Sequence, residues 1–303
     1  GPNGERAWPV LDDEETEKIR KALPAAGSVP RADVKRRLLV FFRTDDYPHL
    51  SIPHWNRLME LLAERTGAFE VEFTQRTDDL NPENLGRFDA VFFNNTCRMR
   101  TPASVREALQ GFVRSGKGFA GNHGAGDNWH DWEDGTQMIG AEFINHPFGS
   151  IRIKVDEPGH PLTAMFSERS FPFSDEIYTF RAPYSRERLR VLLSIDYAGS
   201  PDVAKAEARM REKASAPDAR PFDVRALESI RADHDYPLAW VRPWGAGRVF
   251  YCALGHRAEV TFDPAMVRFY LEGIRYALGD VKALDAPVLA ATNTGSSLGA
   301  GAP

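Results

Sequence analysis

Cysteine is nearly missing from this chain: Cys97 and Cys252 are the only two, and neither stands in a CxxC or other ligand-type spacing. That excludes a disulfide scaffold and argues against a zinc–thiolate site. Both lie beside apolar, strand-like runs, where small buried thiols are the usual occupants. Long hydrophobic runs are also lacking, and none approaches the ~20 residues that a membrane span requires. Basic residues are not in excess: 38 Lys and Arg against 43 Asp and Glu leave a net charge of −5, spread along the chain. A nucleic-acid-binding surface is therefore not expected. There is no HExxH and no internal repeat.

What is present suffices for a large core. A chain of 303 residues with 42% hydrophobic content hides roughly 75% of its unfolded surface without cross-links. Residues 1–36 are charged and Pro/Ala-rich, with a helical pattern over 12–23, and read as an N-terminal arm lying on the domain. The opening Gly1-Pro2-Asn3-Gly4 is too polar for a signal peptide and fits a protease-cleavage scar. The compartment stays open between cytoplasmic and exported, and homo-oligomerisation is likewise open.

Regular alternation begins at residue 38. Apolar runs at 38–42, 69–74, 89–93 and 118–120 predict buried strands, with amphipathic helices at 53–64 and 102–113 between them. Strand and helix at that pitch mean βαβ units and a mostly parallel sheet. Alternating patterns at 151–155, 188–195 and 238–242 predict antiparallel additions. Residues 247–254 return to a buried strand, and 264–278 form a last helix. Residues 199–234 are charged and Ala/Pro-rich and read as a surface insertion. Residues 281–303 read as a flexible tail, leaving 37–280 as one α/β domain.

The polar residues cluster by position. Each expected parallel strand but the second runs directly into side chains able to do chemistry: RTDDYPHLSIPH after the first, Asn94-Asn95-Thr96 after the third, GNHGAGD after the fourth, GHRAE after the last. Ligands of open α/β sheets bind at the carboxyl ends of strands. His123, between glycines, is presented as a nucleophile elbow presents its side chain. A neutral imidazole there can ligate a metal, act as a base or polarise a carbonyl. His256 follows the same logic, His54 at the start of a helix can point into the cleft, and His146 opens the second half, whereas His160 fits a turn and His49, His130 and His234 read as exposed or local. Asp175 and Glu176 are adjacent in a strand and must point to opposite faces, so at most one enters the cleft; Glu176 is the expected one, with a surface ion pair as the alternative. Trp129, Trp132, Tyr178 and Trp240 are candidates to stack on a sugar ring, and Asp127 for a hydrogen bond or a helix cap. Asn95, His146 and Asp175 complete the expected substrate-binding set.

These stretches resemble a known family. LLVFF, SIPH, FDAVFFNNT, GFAGNHGAGDNWHDW, MIGAEFINHP, DEIYTFR, PLAWVRPWGAGRVFYCALGH and FYLEGIRYALGD occur in order over residues 37–280. Together they make the chain similar to the ThuA-like (trehalose-utilisation) family, with a flavodoxin-like, class I glutamine amidotransferase-like fold. True amidotransferases place a cysteine nucleophile at the elbow. Here His123 stands in its place, so ammonia release through a thiolate is disfavoured, and Glu259 is at best a relic of a triad. The resemblance implies a substrate among sugars oxidised to 3-keto forms. Breaking or rearranging such a sugar needs a base and a stabiliser for an enediolate. The expectation is therefore an enzyme acting on a keto-sugar or 3-keto-glycoside by elimination, hydrolysis or isomerisation. His123, His256, His54 and Glu176 are its expected catalytic groups. A divalent metal (Zn, Mn or Ni) on His54, His123 and His256 is an additional option. The alternative is a non-catalytic carbohydrate-binding or accessory module. A hydrolase using Ser or Thr ranks last, because Thr96 has no evident base.

Overall fold

The computed structural model describes residues 5–30 and 34–288. The arm carries α1 (Asp13–Ala22), capped where the Asp12 carboxylate accepts from the Glu15 N–H at 2.8 Å and followed by a first turn of three acids. Then come β1 (Arg37–Phe41), α2 (Ile52–Thr66), β2 (Glu70–Thr74), the short α3 (Pro82–Leu85), β3 (Ala90–Asn94), α4 (Ala103–Arg114) and β4 (Gly118–Asn122). The second half adds α5 (Glu133–Ile139), β5 (Glu142–Val155), β6 (Ser170–Arg181), β7 (Arg190–Ile195), α6 (Pro201–Ser215), α7 (Pro221–Arg225), β8 (Pro237–Trp244), β9 (Gly247–Cys252) and α8 (Pro264–Leu278). Among the described residues no helix is long and apolar enough to cross a membrane.

One nine-stranded sheet runs in the order β2-β1-β3-β4-β9-β8-β7-β5-β6. The first five are mutually parallel and the rest antiparallel. This is the expected α/β fold with antiparallel additions. The parallel strands are apolar throughout because both faces are covered. Leu38, Val40, Phe92 and Phe250 pack under α1, α2 and α8 on one face. Leu39, Phe41, Phe93 and Val249 pack under α4 and α5 on the other. From β1 the sheet grows to β2 on one side and to β3 and β4 on the other, which puts the switch point between β1 and β3.

The antiparallel half bends back over that end. β6 is five places from β4 in sheet order, which would be roughly 24 Å in a flat sheet. Yet the Glu176 carboxylate on β6 lies 3.2 Å from the ring of His123, which follows β4. Three register shifts in the β5–β6 ladder, between Phe143 and Ser150, accompany this bend.

The residues expected as an insertion hold α6 and α7, running from β7 to β8. Tyr197 and Tyr236 both donate to Glu207 on α6. Residues 281–288, expected to begin a flexible tail, are tied to the domain. The Leu284 carbonyl accepts from His160, the Ala286 carbonyl from Arg190, and the Asp285 carboxylate from Tyr276. The rest of that expected tail, 289–303, lies outside the described residues, as do 1–4 and 31–33 of the arm.

Candidate functional site

β4 runs into a 3-10 turn over His123–Asp127. His123 sits at φ +36°, a left-handed conformation that costs a non-glycine residue about 1–3 kcal/mol and persists only when surroundings impose it. Three contacts impose it here. The ring Nδ1–H donates to the Ala253 carbonyl at 2.8 Å, and the His123 carbonyl accepts from the Tyr251 hydroxyl at 2.7 Å. The ring also lies against Tyr178, with centroids 4.0 Å apart. A carbonyl can only accept, so Nδ1 holds a proton, and Nε2 is the ring nitrogen turned toward Glu176 and His256. That orientation is typical of a ligating histidine.

The loop after β9 brings His256 to the same place. Gly255 adopts φ +128°, open only to glycine at low cost, and its carbonyl accepts from Trp55 Nε1 at 3.0 Å and Ser51 Oγ at 2.9 Å. Asp175 on β6 accepts from the Gly255 N–H at 2.6 Å and the Arg257 N–H at 2.9 Å, bracketing His256. Burial raises the Asp175 pKa above its ordinary value, against those bonds and nearby His123. Next along the strand, Glu176 faces the other way. Its Oε2 is 3.2 Å from His123 Nε2 and 3.3 Å from His256 Nδ1, while Oε1 is 3.2 Å from His146 Nδ1. His256 Nδ1 and His123 Nε2 are themselves 3.2 Å apart.

His49, on the loop after β1, closes the cluster. Its ring meets His123 and His256 edge-on at 4.9 and 5.3 Å, it is 2% exposed, and its Nδ1 has no hydrogen-bond partner. Burial, reinforced by the two neighbouring imidazoles, pushes the His49 pKa down to about 2. At Glu176 burial works to raise the pKa, but hydrogen bonds from His123 and His256 outweigh it, and the carboxyl is held well below its usual range. His256 is raised, chiefly by its bond to Glu176.

Ligand atoms of His49, His123, Glu176 and His256 all lie within 4.8 Å of one another. Three imidazoles and a carboxylate suit a first-row divalent ion. An orphaned buried nitrogen on His49, and the inward-facing Nε2 of His123, fit that use. The cluster can hold a metal ion.

The structure thus brings together His123, His256, Glu176 and His146, with Tyr178 beneath and Asp175 behind. Asn95, also at positive φ (48°), lines the wall, with its N–H donating to the Asn122 side chain and its own Oδ1 unpartnered. His54 is a correction. Its Nε2 pairs with Glu15 of α1 at 3.0 Å and its ring meets Phe262, so α2 turns it toward the arm. His49, expected to be exposed or local, takes its place. The same polar segment carried both, and position at the strand's carboxyl end was the available signal. Trp240 is fully buried, donating to the Ile139 carbonyl at 2.7 Å, and Trp129 packs on Trp132 and donates to Thr101. Neither offers a face to a sugar. Asp127 is buried, bonded to His130, Arg98 and the Cys97 thiol rather than capping a helix. Burial and Asp127 push the Cys97 thiol far up, and burial pushes Cys252 up to about 12.

The family described as ThuA, trehalose utilisation, matches residues 37–277. No curated protein matches the sequence. Among solved structures, a ThuA-like protein from Bacteroides uniformis aligns at 17% identity and a TM-score of 0.59, over 82% of this chain and 94% of that one. A ThuA-like protein from Parabacteroides merdae aligns at 14% and 0.55, over 82% and 92%. At those identities the likeness is one of fold.

Proposed function

For a chain that belongs to the ThuA, trehalose-utilisation, family, we propose a carbohydrate-active enzyme that works on a keto-sugar or 3-keto-glycoside by elimination, hydrolysis or isomerisation. One observation carries this reading: three imidazoles and a carboxylate from four separate segments converge within 4.8 Å. A glutamine amidotransferase is disfavoured, since the elbow holds an imidazole and both thiols are driven toward the protonated, non-nucleophilic form.

His49, His123, His256 and Glu176 would hold a divalent ion such as Zn, Mn or Ni. When bound, that ion would supply Lewis-acid stabilisation for an enediolate oxygen. The chain's own groups handle the proton. His146 Nδ1 lies 3.2 Å from Glu176 Oε1, which orients the ring by one nitrogen and leaves Nε2 as the nitrogen away from the carboxylate. His146 is half exposed, and we assign it as the base that takes the proton α to the sugar carbonyl. Tyr178 and Ala253 hold the His123 ring, and Asp175 holds the His256 loop.

Purified protein is expected to convert a 3-keto-glycoside, and His123→Ala to abolish the conversion. An undiminished rate in that variant removes His123 from the chemistry. Sugar binding without any conversion by the wild type favours an accessory module.

A further inference from the structure

A cavity of about 390 Å³ beside His146 carries charge of one sign on its walls. Arg98, Arg181 and Arg225 line it together with the imidazoles of His130 and His146, and Glu228 is the one carboxylate among the described residues that do so. The three guanidinium groups come from separate segments: the loop after β3, the end of β6 and the end of α7. Arg98 stands at φ +47°, a left-handed conformation uncommon outside glycine, held where its N–H donates to the Asp127 carbonyl at 3.1 Å. Backbone outliers of this kind gather at ligand sites.

Nearby acids do not use up these donors. Arg98 turns only Nε to Asp46 and Asp127, at 3.4 and 3.2 Å, and neither of its Nη atoms bonds a described residue. Arg225 is exposed and makes no ion pair or side-chain hydrogen bond with a described residue. Arg181 is committed, with Nη1 on Glu228 and Nη2 on Glu142. Both ring nitrogens of His130 face carboxylates, those of Asp127 and Glu142, which favours the imidazolium; the bond to Asp127 raises its pKa against burial. The free groups are therefore the Nη pair of Arg98 and the whole head of Arg225.

A guanidinium presents paired N–H donors that match two oxygens of a carboxylate or phosphate. The cavity lies at the small end of ligand sites, which span ~300–1,000 Å³, as suits one ring with one acidic group. We propose that this cavity binds a carboxylate or phosphate through Arg98 and Arg225, so that the substrate is an acidic sugar. His146 belongs to both places: it lines the cavity, and its Nδ1 lies 3.2 Å from Glu176 Oε1. The inference rests on the carbohydrate reading above and adds a negative charge to its substrate.

Calorimetry on the full chain at low salt, with glucuronate, glucose 6-phosphate and methyl α-glucoside as probes, tests it. At least one acid is expected to bind roughly tenfold or more above the neutral ring, the size of one charge-assisted hydrogen bond. The tighter of the two acids identifies the group. Arg225→Gln and Arg98→Gln should each cut that preference by roughly tenfold. Arg225 is exposed and unpaired among the described residues, so an unchanged Tm certifies the fold of its variant. Equal affinity for all three probes, no binding of any, or a preference that either variant leaves intact overturns the proposal. The two readings fail separately. An active His123→Ala variant alongside an arginine-dependent preference for acids sinks the catalytic assignment and leaves the anion site. His123-dependent turnover without that preference sinks the anion site alone.

Discussion

Replacing Glu176 with glutamine keeps the shape of the side chain and removes the charge that faces His123, His256 and His146. A metal held at a concentration of about 100 Kd stabilises the native state by about 2.7 kcal/mol. For 303 residues the unfolding entropy is roughly 0.6 kcal/mol per kelvin, so wild type should gain about 4 °C in Tm. Losing the carboxylate should weaken the metal by about a hundredfold, the upper range for lost support at a metal site. Metal then sits near Kd, the gain falls to about 0.4 kcal/mol, and the shift drops below ~1 °C. Thermal unfolding of both proteins with and without Zn, Mn or Ni, beside elemental analysis of chelator-free preparations, makes the comparison. Equal shifts in the two proteins, or none in wild type with any of these metals, would refute the reasoning.

His54→Ala should leave metal content and turnover intact while costing about 1 kcal/mol through the lost bond to Glu15; reduced metal content would restore His54 as a ligand. In Gly124→Ala the new methyl would come within 3.0 Å of both the Asn95 carbonyl and the His49 ring. Overpacking of that kind costs about 1–3 kcal/mol, and metal uptake should fall with Tm; uptake equal to wild type would detach His49 from the site. The His130 pKa is raised by its bond to Asp127, against burial. Its stabilising contribution is therefore fully present below the unfolded value of ~6.5 and lost as pH rises through the higher folded value. Urea denaturation of wild type and His130→Gln should show an advantage for wild type in acid that closes toward alkaline pH; a constant gap would contradict the assignment.

The strands were legible because burial on both faces writes them as continuous apolar runs, and β1, β3 and β9 fall within a residue or two of expectation. Strand alternation said that at most one of Asp175 and Glu176 could enter the cleft, but not which. The choice between His49 and His54 was not legible either. It depends on how the loop after β1 is pinned to the far side of the switch point, where the Asp45 N–H donates to the Cys97 carbonyl and the Asp45 carboxylate accepts from the Arg100 N–H. Such contacts between distant segments leave no periodic trace. Trp129 and Trp240 misled because composition gives a ring but not its depth. Helix α5, only seven residues long, also went unforeseen. The return of β6 over the parallel half left no mark, being set by irregularities in pairing rather than by side-chain pattern.

The bend of the antiparallel strands also orders events during synthesis. Its carboxylate enters a group whose remaining members are contributed at residues 49, 123 and 256, so no nascent fragment ending before His256 possesses the full set. Completion of the site coincides with placement of β9, the strand that joins the parallel and antiparallel halves. Tight uptake of an ion would thus report that both halves of the domain have closed on each other.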